Sequence, residues 1–346
     1  MANSMRAMSF TEFGGPEVLR EIAVEMPEPG PADVLLRVVG AGICYHDVLS
    51  RAGKLPRDKT GIVLGHEISG EIVACGTDVD PARLGERVVV YQRLYCGTCR
   101  YCMSGRHDLC RTSRIVGEDG GGGYAEFCRV PSVNAVRVPD GLDLVAATLA
   151  SCPVGTSVRA ALGVGGVGPG ATVLITGASG GLGLHQIQVC KSVGAHVLAV
   201  SSSEAKADML RETGADEVMV SPDLAFSREV WRLTAKRGVD VVLENVGTST
   251  LPESMMSCAQ GATIVLLGNI GAKPVAINPG LTIGRRLRIA GSGNATYRDL
   301  WQSLDLLASG RVRPIIQEIV PFAEVGRAHA AIEARQVTGR MVLSGW

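Results

Sequence analysis

Aromatic residues are scarce, at 4% of the chain (three Trp, six Tyr and five Phe), so stacking platforms for bases or sugars are few. Neither sign of charge predominates: 34 Lys+Arg balance 34 Asp+Glu, for a formal net charge of zero. A nucleic-acid binder draws much of its affinity from neutralising phosphates, and this balance argues against one. No run of about 18 consecutive apolar residues occurs, the length a membrane-spanning helix needs, so no membrane span is expected. The start, Met1-Ala-Asn-Ser-Met-Arg6, lacks a charged segment followed by an apolar stretch, and no secretory signal is expected there. The expected location is the cytoplasm, where thiols stay reduced.

What is abundant is glycine, 44 of 346 residues, nearly twice the usual share of about 7%. Hydrophobic residues make up 46%, ample for a packed core, and the length suits two domains of roughly 100–200 residues each. Six of the ten cysteines fall into patterns that metal explains better than disulfides do. Cys75, Cys128, Cys190 and Cys258 have no such spacing and read as buried thiols.

Up to about residue 150 the chain alternates short β-type runs, such as 34–39 and 87–90, with Gly/Pro/Asp turns, as in a small β-rich domain with irregular loops. From Ala171 the texture changes to buried strand and helix in alternation. Strands are expected at 171–176, 196–200, 239–243 and 262–267, with helices at 181–193 and 204–213. Parallel strands need such crossovers, so this half reads as a doubly wound α/β sheet. Residues 163–170, rich in glycine, read as the connector into it. The tail is expected to hold helices at 298–308 and 323–334 and strands at 315–320 and 340–343, and to return to the first domain. The expected domains are 1–152 with 293–346, carrying a lobe at 91–114, and 153–292.

Thr176-Gly177-Ala178-Ser179-Gly180-Gly181-Leu182-Gly183 lies between an expected strand and helix. A sharp turn, close approach of backbone to a pyrophosphate and tight helix–strand packing all ask for glycine here. The helix N-terminus then offers free N–H groups to phosphates. Ala178 replaces the first glycine of the usual G-x-G-x-x-G motif. After the next strand, where an acidic residue would hold the 2′-hydroxyl of NAD, the chain has Ser201, Ser202 and Ser203, with Lys206 close behind. Hydroxyls plus a cation suit a 2′-phosphate, which favours NADP(H) over NAD(H). If Lys206 is only a solvated helix residue, both cofactors bind.

Cys96-x-x-Cys99-x-x-Cys102-x7-Cys110 brings four thiolates into one short loop, the donor set of a closed tetrahedral zinc site. In a lobe with little core, such a site replaces packing energy and is structural rather than catalytic. A second, dispersed set is Cys44, His66 and Cys152. Two thiolates and an imidazole, with water in the fourth place, form a known catalytic zinc arrangement. Asp47 would orient His66 from behind, and Glu67 adjoins the site, where it would tune or transiently ligate the metal. Two Zn2+ per chain are therefore expected.

These motifs, with the final Gly339-Arg340-Met-Val-Leu343, resemble nearly end to end the zinc-containing medium-chain dehydrogenase/reductase superfamily, to which the alcohol dehydrogenases belong. The resemblance implies a GroES-like β-barrel catalytic domain, a Rossmann cofactor domain, and homodimers or homotetramers. It also implies Thr156 against the nicotinamide, Arg340 near the cofactor phosphates, and Val246, Gly268 and Asn269 along the cofactor cleft.

The chain departs from many alcohol dehydrogenases at the second residue after the first zinc cysteine. There they carry Ser or Thr to relay the alcohol proton, and here stands His46, while Leu49 occupies the place of a further relay histidine. Either His46 carries the proton, for which an unperturbed pKa of about 6.5 is suited, or it points elsewhere and shapes the pocket. Tyr45 is a second candidate donor. The Cys-Tyr-x-Asp segment and the Gly-Ala-Ser-Gly-Gly loop also resemble those of zinc-type acryloyl-CoA reductases. The expected function is thus hydride transfer between NADP(H) and a small-molecule alcohol or carbonyl substrate; the alternative is an enoyl-thioester or enone reductase. Arg100, Arg106, Arg111 and Arg114 around the zinc lobe read as a solvated basic face or as an attractor for an anionic substrate tail.

Overall fold

The computed structural model describes residues 4–119, 121–271 and 273–346. The chain divides into two compact units. The first comprises Met1–Cys152, Thr296–Ala308 and Ile316–Trp346, and the second Pro153–Ala295 and Ser309–Ile315.

The first unit is built on a seven-stranded sheet. Its central strand, Asp33–Ile43, pairs antiparallel with Glu67–Cys75 on one side and Arg340–Ser344 on the other, and Phe127–Pro131 pairs with its first half. Arg87–Val90 and Ala135–Arg137 extend one side, and Ile316–Pro321 lies parallel to Arg340–Ser344 on the other. A strand paired on both sides buries most of its residues, which is why Asp33–Ile43 is apolar apart from Asp33 and the exposed Arg37. Leu36, Ile43, Ile68, Ile72, Val88, Phe322 and Leu343 belong to one core cluster there. The tail carries helices Tyr297–Ala308 and Val325–Glu333 and joins the first unit except for Ser309–Ile315.

The second unit is a six-stranded parallel sheet. Its spatial order is Glu217–Val220, His196–Ser201, Thr172–Ile175, Val239–Glu244, Cys258–Leu266, Arg288–Gly291. Numbered within the unit this is 3-2-1-4-5-6, the doubly wound order with its switch point between Thr172–Ile175 and Val239–Glu244. Leu174, Leu198, Val242 and Ile264 fill its core. The two short outer strands, Glu217–Val220 and Arg288–Gly291, escape the sequence pattern because each is only four residues long and only partly buried. The helix expected from 181 begins at Gly183 and runs to Ser192.

The second unit reclaims 309–315, a segment the sequence assigns to the first. The Gln188 side chain donates to the Arg313 carbonyl (2.9 Å) and accepts from its N–H (2.7 Å), and His185 Nε2 accepts from Ile315 N–H (3.1 Å). Two buried polar side chains on helix Gly183–Ser192 thereby hold the crossing segment. Helix also occupies Pro153–Val158 and, as a π-turn, Arg159–Val164, so the glycine-rich connector starts inside a helix. The helical stretch Leu144–Val164 is long and apolar enough to cross a membrane by length and composition, but 78% of its apolar 18-residue window is buried in the protein.

Candidate active site

Cys44 is the residue at which the central strand ends and helix Tyr45–Arg51 begins. The Asp47 side chain turns back and accepts the Cys44 N–H at 3.0 Å, capping that helix. Its other oxygen meets His66 Nδ1 at 3.0 Å. His66 stands just before strand Glu67–Cys75, whose Glu67 pairs with Gly42, so strand register brings His66 alongside Cys44. Cys152 follows the 3-10 turn Thr148–Ala150. One ligand atom from each of Cys44, His66, Glu67 and Cys152 falls within 4.8 Å of the others. Because Asp47 engages Nδ1, the His66 nitrogen left for a metal is Nε2.

Arg340 enters from the other flank, where Met341 pairs with Ile43. Its Nη2 donates to Glu67 Oε1 at 2.6 Å and lies 3.6 Å from Cys44 Sγ and 3.9 Å from Cys152 Sγ. The resemblance sets Arg340 near the cofactor phosphates; in the structure its Nη2 supplies the counter-charge that buried Glu67 needs, beside the two thiols. Gly42 carries no side chain where one would collide with the Glu67 carboxylate. Glu67 Oε2 is buried without a partner among the described residues.

The charges agree with a cation site. The Cys44 thiol is pulled well below its ordinary value by the hydrogen bond from Cys152, against burial, and further by the Arg340 guanidinium. Burial alone would lower His66, yet the Asp47 charge and hydrogen bond outweigh it and raise the imidazole well above its ordinary value. Burial pushes Glu67 up to about 7 against the pull of Arg340. Two thiols, one imidazole nitrogen and a nearby carboxylate fit zinc with one position left open.

The lobe fits zinc by a more direct measure. Tetrahedral ligands at the usual Zn–S length of about 2.3 Å stand roughly 3.8 Å apart. The observed Sγ–Sγ separations are 3.9 Å for Cys96–Cys102, 3.6 Å for Cys99–Cys102 and 3.7 Å for Cys96–Cys110. Backbone N–H groups at Thr98 and Cys99 bring the Cys96 thiol down to about 5.

Of the candidate proton donors, His46 places Nε2 3.2 Å from Glu118 Oε1, with its ring edge-on to His66 at 5.6 Å between centroids. Tyr45 is half-buried at the first position of the helix. Glu118 gave no sequence signal, and neither did a buried polar chain behind Asp47. There the Tyr124 hydroxyl donates to Asp47 Oδ2 (3.3 Å) and faces His329 Nε2 (3.3 Å). Burial, then the Asp47 charge, raises the Tyr124 hydroxyl well above its ordinary value, so it stays a donor. His329, fully buried, is pushed down by burial to about 4 and stays neutral.

In the second unit the glycine loop follows strand Thr172–Ile175. Gly177 has φ +57°, and a Cβ on Gly183 would run into the Ala178 carbonyl, which are the two demands the motif makes. The loop is organised by a buried carboxylate the sequence reading missed. Glu244 accepts from Thr176 Oγ1 (2.7 Å), Thr250 Oγ1 (2.6 Å) and the N–H groups of Val246 and Gly247 (both 3.0 Å). Thr176 begins the glycine loop and Val246 the next strand's loop, so this one side chain ties the two edges of the switch point together. Gly268 and Asn269 follow the adjacent strand, where Asn269 Oδ1 accepts from Thr248 (2.9 Å). Thr156 is buried within helix Pro153–Val158. Ser201 Oγ is turned inward onto Ser203, whereas Ser202 is exposed and Lys206 half-buried.

Residues 30–140 match the alcohol dehydrogenase GroES-like domain family, and residues 181–309 the zinc-binding dehydrogenase family. Among known proteins, an acryloyl-coenzyme A reductase of Metallosphaera sedula is 34% identical, over 93% of this chain and 95% of that protein. An alcohol dehydrogenase of Geobacillus stearothermophilus is 31% identical, over 98% of each. Among solved structures, the crystal structure of AibC superposes with a TM-score of 0.93 at 43% identity, covering 99% of this chain and 96% of that one.

Proposed function

Because the chain belongs to the zinc-containing medium-chain dehydrogenase/reductase superfamily and is an oxidoreductase using a nicotinamide cofactor, we propose that it is a zinc- and NADP(H)-dependent reductase of 2-enoyl thioesters. The observation that carries this reading is the convergence of Cys44, His66 and Cys152 with one metal position open, at a place where the usual hydroxyl relay for an alcohol proton is replaced by His46 paired to Glu118. The likeness to an acryloyl-coenzyme A reductase supports it.

The proposed reaction adds a hydride to the β-carbon of the conjugated system and a proton to its α-carbon. Bound zinc supplies Lewis-acid polarisation of the thioester carbonyl. The chain's own residues do the rest. Cys44, His66 and Cys152 hold the ion, Asp47 orients His66, and Arg340 with Glu67 balances the buried charge beneath them. His46, half-exposed beside Glu118, is placed to hold and deliver a proton at Nε2. Ser202 and Lys206 supply the hydroxyl and cation that suit a 2′-phosphate. The protein works, on this reading, in the cytoplasm as a homodimer or homotetramer.

A second reading, reversible oxidation of alcohols, rests on the same open metal position and on the likeness to an alcohol dehydrogenase. Incubating the zinc-loaded protein with NADPH and either crotonyl-CoA or a panel of aldehydes and ketones separates the two. The proposal expects saturated acyl-CoA as product and loss of turnover on chelation. Faster turnover of aldehydes or ketones than of the thioester would replace it with the second reading.

A further inference from the structure

The four lobe arginines do not behave alike. Arg106 forms a two-point pair with Asp108, and Arg100 lies over the Tyr101 ring, its carbon 4.6 Å from the centroid. Arg111 and Arg114 instead turn to a separate basin of about 460 Å³, which Arg57 and Lys59 also line. Several exposed guanidiniums elsewhere are spent on carboxylates, as at Arg6, Arg37, Arg232, Arg237 and Arg327. Among the described residues no ion pair joins Arg57, Arg111 or Arg114 to a carboxylate, although the charges of Arg57 and Arg114 reach Asp119.

The two acids in the basin do not neutralise it. Asp58 keeps its charge but is held by its own turn, accepting from Ser50 Oγ (2.8 Å) and Leu55 N–H (2.6 Å). Asp119 pairs with Lys59 at 2.5 Å. Three guanidiniums and Lys59 therefore face one concavity against two carboxylates, leaving cations in excess there, and Thr112 and Ser113 also line its wall. Forked, permanently charged donors in that number match the oxygens of phosphate groups.

Two features make the basin more than a solvated patch. Its Arg111–Arg114 wall is fixed at one end by the adjoining Cys110 and at the other by pairing of Arg114 with Leu94. Ser113 is further held between the Cys110 carbonyl (2.7 Å) and the Arg93 guanidinium (2.6 Å). The same segment then continues to Glu118, which touches His46 beside His66. The basin wall and the Glu118 that touches His46 are thus one short stretch of chain within one unit.

We propose that the Arg57/Arg111/Arg114 basin is the subsite for the phosphorylated tail of the substrate, the adenosine 3′-phosphate and diphosphate of a coenzyme A thioester. This rests on the enoyl-thioester reading and gives it a location: acyl group at the metal position, phosphates in the basin.

The test compares the native enzyme with the combined variant Arg57→Gln/Arg111→Gln/Arg114→Gln, checked for unchanged zinc content and melting temperature. Crotonyl-CoA and S-crotonyl-pantetheine, which lacks the phosphates, serve as substrates with NADPH, and calorimetry follows binding of adenosine 3′,5′-bisphosphate. The expected result is at least a ten-fold rise in KM for crotonyl-CoA, with kcat within two-fold and the pantetheine thioester unaffected. Adenosine 3′,5′-bisphosphate should bind the native protein and not the variant. An unchanged KM for crotonyl-CoA overturns the subsite while leaving the enoyl-thioester reading standing. A rise in KM for NADPH alone overturns it in favour of cofactor phosphates. If neither thioester is reduced but the bisphosphate still distinguishes native from variant, the phosphate site holds and the thioester reading falls.

Discussion

Asp47 Oδ1 and His66 Nδ1 stand 3.0 Å apart, while the other oxygen of the same carboxylate caps the backbone of Cys44. One side chain therefore sets both the orientation of the imidazole and the position of the first thiol. Asp47→Asn keeps the size but loses the charge. Zinc affinity at this site should fall by about 10–100-fold, read by competition with a chelator, while the lobe keeps its ion. Equal affinity in variant and native protein would show that Asp47 does not act on the metal.

Behind Asp47, the Tyr124 hydroxyl serves two buried partners, Asp47 and His329. Tyr124→Phe leaves both short of a hydrogen bond at full burial. It should lower the stability of the first unit by about 1–3 kcal/mol, measured by urea unfolding of the zinc-loaded protein. A midpoint unchanged from native would mean water replaces the hydroxyl.

His329 gives the acid limb of stability a specific source. Burial holds its folded value at about 4, whereas an exposed imidazole titrates near 6.5. Below about 6.5 the unfolded chain takes up a proton that the folded chain refuses, so stability is complete above that pH. It is lost progressively as pH falls from 6.5 towards 4, by on the order of 3 kcal/mol. Urea midpoints across that window should fall more steeply for the native protein than for His329→Gln. Parallel profiles would exclude His329 as the source.

Cys102, buried in the lobe, is the cysteine within 3.9 Å of Cys96 and 3.6 Å of Cys99. Cys102→Ser should reduce bound zinc from two ions per chain to one and lower the melting temperature, because the lobe has little core to replace the metal. Elemental analysis and calorimetry decide it. Retention of both ions would contradict the four-thiolate assignment.

The proposed preference for NADP(H) turns on the end of strand His196–Ser201, where Ser202 is exposed and Lys206 half-buried. Ser202→Asp introduces the carboxylate that suits a ribose hydroxyl and repels a 2′-phosphate. The ratio of kcat/KM for NADPH to that for NADH should fall by at least ten-fold. An unaltered ratio would place the discrimination elsewhere.

The parts of this site that were legible in the sequence are those whose chemistry is local. Cys96, Cys99, Cys102 and Cys110 announce themselves because all four ligands lie within one loop. The glycine loop does so because a turn, a close approach and a helix start occupy eight consecutive residues. Cys44, His66 and Cys152 could be picked out by their local contexts, although their spacing carries no rule. Tyr124 and His329, by contrast, are 205 residues apart, and Arg340 and Glu67 are 273 apart. Nothing near Arg340 in the chain distinguishes an arginine beneath a thiol cluster from one facing a phosphate. Glu244 was equally silent, since a single carboxylate at a strand end looks the same whether solvated or surrounded by hydroxyl and N–H donors.

By itself the sequence determined the ligand chemistry, the parallel sheet and the glycine turn, because thiolate clustering, buried strand runs and positive φ are properties of neighbouring residues. Tertiary structure alone decided which charges are buried, what faces them and which arginines are left unpaired. Those outcomes depend on sheet register and desolvation, which join residues hundreds of positions apart and turn an ordinary Asp, Tyr, His or Arg into part of a site.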